Sequence, residues 1–401
     1  ILNSPVTWAD FENNLRKALG TEARLGANKD VFNIGDGNGY ANLCGLITCD
    51  WVGASEDEQL PKKVIIKIPS VLPMRKLNDS LPDDHKMFNF NEEQWAAMEA
   101  QLIEIHNIEV ATYDFLKEFE GLTMPKQFYA KAFVDVEREG GQICLEYIAN
   151  SRTMNFHERH TVEQLRKIAR ALGKIQACSL KKEVTASELQ KDFFKKGAEM
   201  CFQDFRGMFK GVSTVDNSDN TKTLMEKIDV LVEKYYGSNL PTTIHQQMGF
   251  RPVLVNGDLH ISNVLIDKDT GDLASLIDWQ STHLGVGVED LHRIALTSLP
   301  TTERRSSMPM LVETMYESLV ENLDGAEPPY TLEKLLLLSD LIFPQCAVFF
   351  ASGFIPVLTV GSFCEIAPLF VGQVSQTLSI IGILEDVVEL DSKKKNHMLI
   401  L

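Results

Sequence analysis

Apolar and polar positions change rhythm along this chain. Residues 5–25 space their apolar side chains as one opening helix. Val31-Phe32-Asn33-Ile34 predicts a short strand, followed by Gly35-Asp36-Gly37-Asn38-Gly39. Tyr40 to Val52 predicts the return strand. Val64-Ile65-Ile66-Lys67-Ile68 is a strongly β-forming run stopped by Pro69. Residues 71–90 hold no period and predict a loop. Residues 92–119 return to a helical period, with Leu102, Ile105, Thr112 and Leu116 on one face. Phe128 to Val134 and Gln142 to Ile148 predict two strands joined by the polar turn Glu137-Arg138-Glu139-Gly140-Gly141.

After about residue 150 the pattern turns helical. Thr161, with Gln164 three positions on, reads as a capping box before the helical run Leu165 to Leu172. Residues 181–245 predict further helices around a polar break, Val212 to Thr223. Val253 to Asp278 interrupts them with short strands and turns, and the remainder reads as mostly helix. There is no internal repeat and no low-complexity tract. The pattern predicts an α+β chain: a small antiparallel β-sheet lobe over residues 1–148 and a larger, mainly helical lobe over residues 149–401.

Composition narrows the function classes. An apolar share of 44% over 401 residues supplies enough buried mass to exclude disorder for most of the chain. Lys and Arg number 39 against 56 Asp and Glu, a net charge of −17, which argues against a nucleic-acid partner needing a basic face. It also disfavours docking on anionic lipid. A phosphorylated ligand remains open, because local donors can outweigh the global charge. The seven cysteines form no Cys-x-x-Cys pair and sit mostly in apolar runs. They are expected to be reduced packing residues of a cytoplasmic protein, not zinc ligands. The opening residues hold no basic region followed by an apolar stretch, so no secretory leader is expected there. Leu341 to Cys364 and Ile366 to Leu384 lack charged residues, but Pro344, Gly353, Pro356 and Gly361 break the first run. Buried core helices are expected there, not a membrane span. The oligomeric state is not legible.

The chemistry concentrates in Val253-Leu254-Val255-Asn256-Gly257-Asp258-Leu259-His260-Ile261-Ser262-Asn263-Val264 and in Leu276-Ile277-Asp278-Trp279-Gln280. Asp258 and Asn263 lie five apart in a turn between apolar runs. Asp278 follows an apolar run twenty residues after Asp258. The intervening Asp267-Lys268-Asp269-Thr270-Gly271-Asp272 has turn composition, and a hairpin there would bring Asn263 near Asp278. Phosphoryl transfer from ATP needs such a set. One carboxylate orients the attacking hydroxyl and takes its proton, while an amide oxygen and a second carboxylate hold Mg²⁺ against the phosphates. The order Asp-x4-Asn, hairpin, Asp is that of a kinase catalytic loop and metal-binding aspartate. Asp258 is therefore the candidate catalytic residue, with Asn263 and Asp278 the candidate metal ligands.

Gly257-Asp258-Leu259-His260-x-x-Asn263 with Ile277-Asp278-Trp279 resembles the aminoglycoside phosphotransferase and choline kinase superfamily. With Gln280, His283-Leu284-Gly285 and Glu289-Asp290-Leu291 added, it is most similar to the CHK kinase-like and ecdysteroid kinase-like proteins. The resemblance is strongest over residues 253–294. It implies a bilobal, protein kinase-like fold and a small-molecule kinase using ATP and Mg²⁺.

The resemblance sets demands on the N-terminal lobe. A kinase needs a strand Lys at the α/β-phosphates and a helical Glu paired with it. Strand alternation puts Lys67 and Ile65 on the face opposite Val64, Ile66 and Ile68. Glu109 falls on the apolar stripe of residues 92–119, where a carboxylate needs a partner. Gly37 and Gly39, between two strands, are expected to lay backbone N–H groups over the phosphates. Leu145-Glu146-Tyr147-Ile148 resembles an interlobe hinge, whose Glu146 and Ile148 backbone groups would read the adenine edge. Asp290 is expected to cap the helix that follows it, and His260 and His283 to be structural. The acceptor would be a small hydroxyl-bearing molecule, such as an amino alcohol, aminoglycoside or ecdysteroid. A pseudokinase that binds nucleotide without transfer is the alternative. A protein kinase is disfavoured by the Gly-Asp-Leu-His loop and by the lack of an Ala-Pro-Glu element after Asp278.

Overall fold

The computed structural model describes the chain except for residues 36–40, 81–85, 87–89, 134–139, 156–157, 191–215, 237, 361–372 and 398–401. The chain divides into two compact units. The first comprises Ile1–Ser151 with Ala274–Gln280, and the second Arg152–Leu273 with Ser281–Leu401. It is the α+β arrangement expected from the pattern, a small antiparallel-sheet unit and a larger, mainly helical one.

In the first unit, helix α1 (Trp8–Leu19) starts where the Thr7 side chain accepts the Asp10 N–H. It ends at Gly20, whose left-handed φ of 67° suits a residue without a Cβ. Strands β1 (Arg24–Leu25) and β4 (Trp51–Val52) pair as a short ribbon. The main sheet holds β2 (Asp30–Asn33), β3 (Asn42–Thr48), β5 (Lys63–Pro69), β6 (Gln127–Lys131) and β7 (Gln142–Glu146). Their order is β2-β3-β5-β7-β6, and every pairing is antiparallel. Val64 and Ile66 turn to the sheet face that packs with Phe11 and Leu15 of α1, Ile47 and Cys144. The opposite face carries Leu46, Ile65 and Leu145 in one cross-strand row and Cys44, Lys67 and Ile143 in the next.

Residues 72–80, expected as loop, form helix α2 (Leu72–Ser80), with Pro73 near its start and the Ser70 hydroxyl accepting the Leu72 N–H. Pro early in a helix loses no hydrogen bond, so this start is legible in hindsight, whereas the short apolar pattern is not. Helix α3 (Glu92–Leu116) begins with a capping box between Asn91 and Gln94. It buries Leu102, Glu109, Thr112 and Leu116. The segment Ala274–Gln280 is bonded into this unit at several points. Leu276 N–H donates to Thr123 O at 2.9 Å, Asn42 Nδ2 to Gln280 Oε1 at 3.1 Å, and Trp279 N–H to Glu109 Oε1 at 3.4 Å.

The second unit contains β8 (Ser151–Thr153) from Arg152 on, α4 (Val162–Lys181), α5 (Asp219–Tyr235), α6 (Leu240–Met248), β9 (Val253–Val255) and β10 (Val264–Asp267). After β11 (Leu273–Leu276), whose residues from Ala274 on belong to the first unit, come β12 (His283–Gly285), α7 (Val288–Ser298), α8 (Thr301–Glu321), α9 (Leu332–Val360) and α10 (Gln373–His397). The Thr161–Gln164 capping box opens α4 as expected. Gly173 lets α4 approach α8 closely: a Cβ there would lie 2.3 Å from Met315 O. Helix α10 is tied by Asp386 to Arg304 and Arg305, and by Asp391 to Lys234 and Tyr235. Strand β12, which the pattern missed, is three residues long and pairs with β9. Within α9, Leu332–Ala351 is long and apolar enough to cross a membrane by length and composition, with mean hydropathy 1.6, and 67% of that window is buried. The five described cysteines are unbridged. Cys49, Cys144, Cys178 and Cys346 are buried and Cys44 is half-buried.

Candidate functional site

In the first unit a buried ammonium group meets two carboxylates. Lys67 Nζ donates to Glu109 Oε1 at 2.6 Å and Oε2 at 2.7 Å, and to Asp278 Oδ1 at 3.1 Å. Strand β5 presents Lys67, α3 presents Glu109, and the anchored segment 274–280 presents Asp278. Lys67 is 7% exposed and Glu109 1%. Burial by itself would lower the Lys67 pKa, but the charges of Asp278 and Glu109 outweigh it and hold the amine well above its usual value. Asp278 has a φ of 62°, a left-handed conformation uncommon outside glycine. Its side chain keeps 25% of its exposure, so this carboxylate is the open member of the cluster.

Sequence reasoning assigned Cys44 to packing, but β3 pairs it directly across from Lys67. Burial pushes its thiol up to about 11, against the pull of Lys67. Half-buried Leu46 and Ile65 lie one pleat further along the same face. At the end of β7, Glu146 N–H donates to Lys126 O at 2.8 Å, and its Oε2 accepts the Lys126 N–H at 3.2 Å. The Ile148 carbonyl accepts the Ser151 hydroxyl at 2.7 Å. Gly37 and Gly39 lie outside the described residues.

In the second unit β9 runs into a tight turn. Asn256 Oδ1 accepts the Asp258 N–H at 3.0 Å, and Asn263 Nδ2 donates to Asp258 O at 2.8 Å. The Asn263 amide thereby clamps the turn that carries the Asp258 carboxylate. His260 Nδ1 accepts the Ser262 N–H at 3.2 Å at the head of a short 3-10 turn. The turn predicted at 267–272 closes through Asp267 N–H to Asp272 O at 2.8 Å and Gly271 N–H to Asp267 O at 2.9 Å.

Asp290 departs from its expected role. It stands inside the first turn of α7, where Gly287 is the cap, and its carboxylate reaches back to the loop. Oδ2 accepts the Asn256 N–H at 2.7 Å and Oδ1 the Gly257 N–H at 2.9 Å. Burial pushes this carboxyl up to about 6, opposed by those two donors. Two N–H groups aimed at one point from residues 33 and 34 positions away leave no local pattern, so sequence reasoning had no signal for it.

Gly257 is required by space as well as by conformation. Its φ is 81°, and a Cβ would lie 2.4 Å from Ser281 O and 3.0 Å from His283 Nδ1. A Gly257→Ala variant is expected to lose about 1–3 kcal/mol from backbone strain alone. Urea denaturation checks this, and an unchanged midpoint would show that the turn gives way freely.

A family model described as "Uncharacterized oxidoreductase dhs-27" (DUF1679) matches residues 1–395. The chain belongs to the DUF1679 family. The superfamily resemblance of residues 253–294 lies inside the DUF1679 span. Among solved structures, this DUF1679 chain is similar to choline kinase from Cryptosporidium parvum, with 12% identity, 92% of this chain and 90% of that chain covered, and TM-score 0.46. It is similar to choline kinase from Streptococcus pneumoniae, with 15% identity, 94% and 98% covered, and TM-score 0.41. It is also similar to Plasmodium vivax ethanolamine kinase, with 11% identity, 91% and 83% covered, and TM-score 0.41. Likenesses this distant carry no inference about activity. No curated protein matches the chain.

Proposed function

We propose that this protein is an ATP-dependent phosphotransferase that moves the γ-phosphate to a hydroxyl of a small molecule. The observation that carries the reading is Lys67 held by both oxygens of buried Glu109 while it touches the open Asp278. A strand Lys, a helical Glu and a following Asp are the parts a kinase uses to hold the α/β-phosphates and their metal. The residues also suit the nucleotide. Lys67 offers a cation to phosphate, and Leu46 and Ile65 offer an apolar surface to a base on the same sheet face.

No group of three or more His, Cys, Asp or Glu suited to a metal occurs among the described residues. The donors on offer are instead a carboxylate and an amide, the sparse oxygen set with which Mg²⁺ is held beside phosphates. In this reading Asn263 and Asp278 hold Mg²⁺, which supplies charge neutralisation at the phosphates. Asp258 orients the acceptor hydroxyl and takes up its proton. Lys67, kept in place by Glu109, would pair with the α/β-phosphates, and the backbone groups of Glu146 and Ile148 would meet the adenine edge.

The acceptor class stays broad: an amino alcohol, aminoglycoside or ecdysteroid-like alcohol. The −17 charge favours a neutral or cationic acceptor over an anionic one. The oxidoreductase description of the family model belongs to the protein it names. It is not carried over, because a doubly wound dinucleotide-binding sheet is mostly parallel and the main sheet here is antiparallel throughout.

Purified protein is expected to bind MgATP, and Asp278→Ala to weaken that binding at least about tenfold, roughly 1.4 kcal/mol. Isothermal calorimetry checks this. Unchanged affinity in the variant removes the metal assignment. Binding without turnover across a metabolite extract supports the pseudokinase instead.

A further inference from the structure

The turn that carries Asp258 rests on a second buried charge cluster, which the proposed reaction does not use. His283 begins β12 and pairs across from Val255, the last residue of the strand entering the turn. Both of its ring nitrogens face acceptors: Nδ1 lies 3.0 Å from Ser281 O, and Nε2 lies 3.2 Å from Glu289 Oε2. An imidazole donates from both nitrogens only when protonated. The same ring edge and the same Ser281 carbonyl form the wall against which Gly257 packs.

Glu289 serves both neighbours. Its Oε1 accepts from Arg293 Nε at 3.0 Å and from a terminal guanidinium nitrogen at 2.8 Å, while Oε2 faces His283. Arg293 and His283 overcome the cost of burial and hold the Glu289 carboxyl down at about 2. The next residue, Asp290, takes the Asn256 and Gly257 N–H groups. Helix α7 thus holds the turn from one side and His283 from the other. With His283 protonated, two cations, His283 and Arg293, face two carboxylates, Glu289 and Asp290. With it neutral, the set would keep one buried negative charge in excess, and Arg293 also feels Asp258. The other titratable groups around it among the described residues are Tyr236 and Cys346, across the small cavity it shares with α6 and α9. Burial keeps the Cys346 thiol neutral by raising it.

We infer that His283 is a positioning residue whose positive charge, shared with Glu289, holds the Gly257–Asp258 turn in place. The inference rests on Asp258 being the base of the proposed transfer. A neutral ring has one donor for two acceptors, so either Ser281 O or Glu289 Oε2 loses its partner and the wall behind Gly257 shifts. Burial lowers the His283 pKa, but Glu289 more than offsets this, and the folded value lies above the ordinary 6.5. The stabilisation is therefore full below that value and is lost as pH rises through the folded one.

Two measurements on the wild-type chain test it directly. With ¹⁵N-labelled histidine, and His283→Gln to assign the signal among nine histidines, both His283 nitrogens are expected to show imidazolium shifts near neutral pH. Amide exchange at Asn256 and Gly257, corrected for intrinsic rate, is expected to accelerate about tenfold or more as His283 titrates, the factor for one lost charged hydrogen bond. The same acceleration is expected in His283→Gln at neutral pH. In MgATP hydrolysis, that variant should lose kcat with little change in KM for MgATP, and should lose the alkaline limb of the wild-type pH profile. A neutral ring near neutral pH, or exchange indifferent to titration, overturns the inference. Absence of MgATP binding by the wild type counts instead against the phosphotransferase reading, and the two wild-type measurements still decide the role of His283 in the turn.

Discussion

Replacing Lys67 with Met is expected to destabilise the protein by about 3–5 kcal/mol, because it strands a buried carboxylate. Glu109 is 1% exposed, and Lys67 sits within 2.7 Å of both its oxygens. Burial raises the Glu109 pKa and Lys67 opposes that rise, so removal of the cation leaves burial unopposed. The lone Glu109 must then be buried as an anion or take a proton. A folded carboxyl raised above its unfolded value costs stability as pH rises past the unfolded value, near 4.5. Lys67→Met should therefore become less stable from acid towards neutral pH, relative to wild type. Adding Glu109→Gln should recover much of the loss, since a neutral pair does not leave a charge in the core. Urea denaturation of the two single variants and the double variant across pH forms the cycle that measures it. Additive losses would show that the two side chains do not act as a pair. Any MgATP turnover should fall about a hundred- to a thousandfold in Lys67→Met, the effect of removing one preorganised donor from developing charge.

The second large effect is expected at Asp258. Asp258→Asn removes the proton acceptor while keeping shape, and transfer to a hydroxyl acceptor should fall about a hundred- to ten-thousandfold. MgATP affinity should barely change, and stability should fall only by what the Asp258 charge contributes beside Arg293. The turn is held by the Asp258 backbone, through Asn256 Oδ1 on its N–H and Asn263 Nδ2 on its carbonyl, and neither bond involves the carboxylate. Screening a metabolite extract for MgATP-dependent phosphorylation supplies the acceptor, and comparing kcat of the two proteins on it supplies the answer. An Asn variant that retains the full rate would falsify the base assignment.

Much of this was legible from local pattern. The two-residue period of 64–68 turned Lys67 away from Val64 and Ile66, and the helical period of 92–119 put Glu109 on a buried stripe. Both places hold in the structure. The capping box at Thr161 also follows from neighbours alone. Helix α2 and strand β12 were missed because nine and three residues are too short for a period to emerge. Asp290 was misread because its place before an apolar helical run looks like a cap, while its partners come from a loop far back in the chain.

The sequence by itself determined which side chains could meet, since strand and helix periods depend on backbone geometry and near neighbours. It also determined the charge, the antiparallel-sheet and helical halves, and the Asp258–Asn263 turn. Only the tertiary structure decided that residues 274–280 leave their sequence neighbours for the first unit. That placement sets Asp278 3.1 Å from a Lys 211 positions earlier, in a left-handed conformation. Only the tertiary structure decided, too, that His283 lies between two acceptors. A buried ionisable group takes its partners from whatever packing brings within hydrogen-bond reach. That choice minimises uncompensated charge over the whole fold, and no local stretch of sequence encodes it.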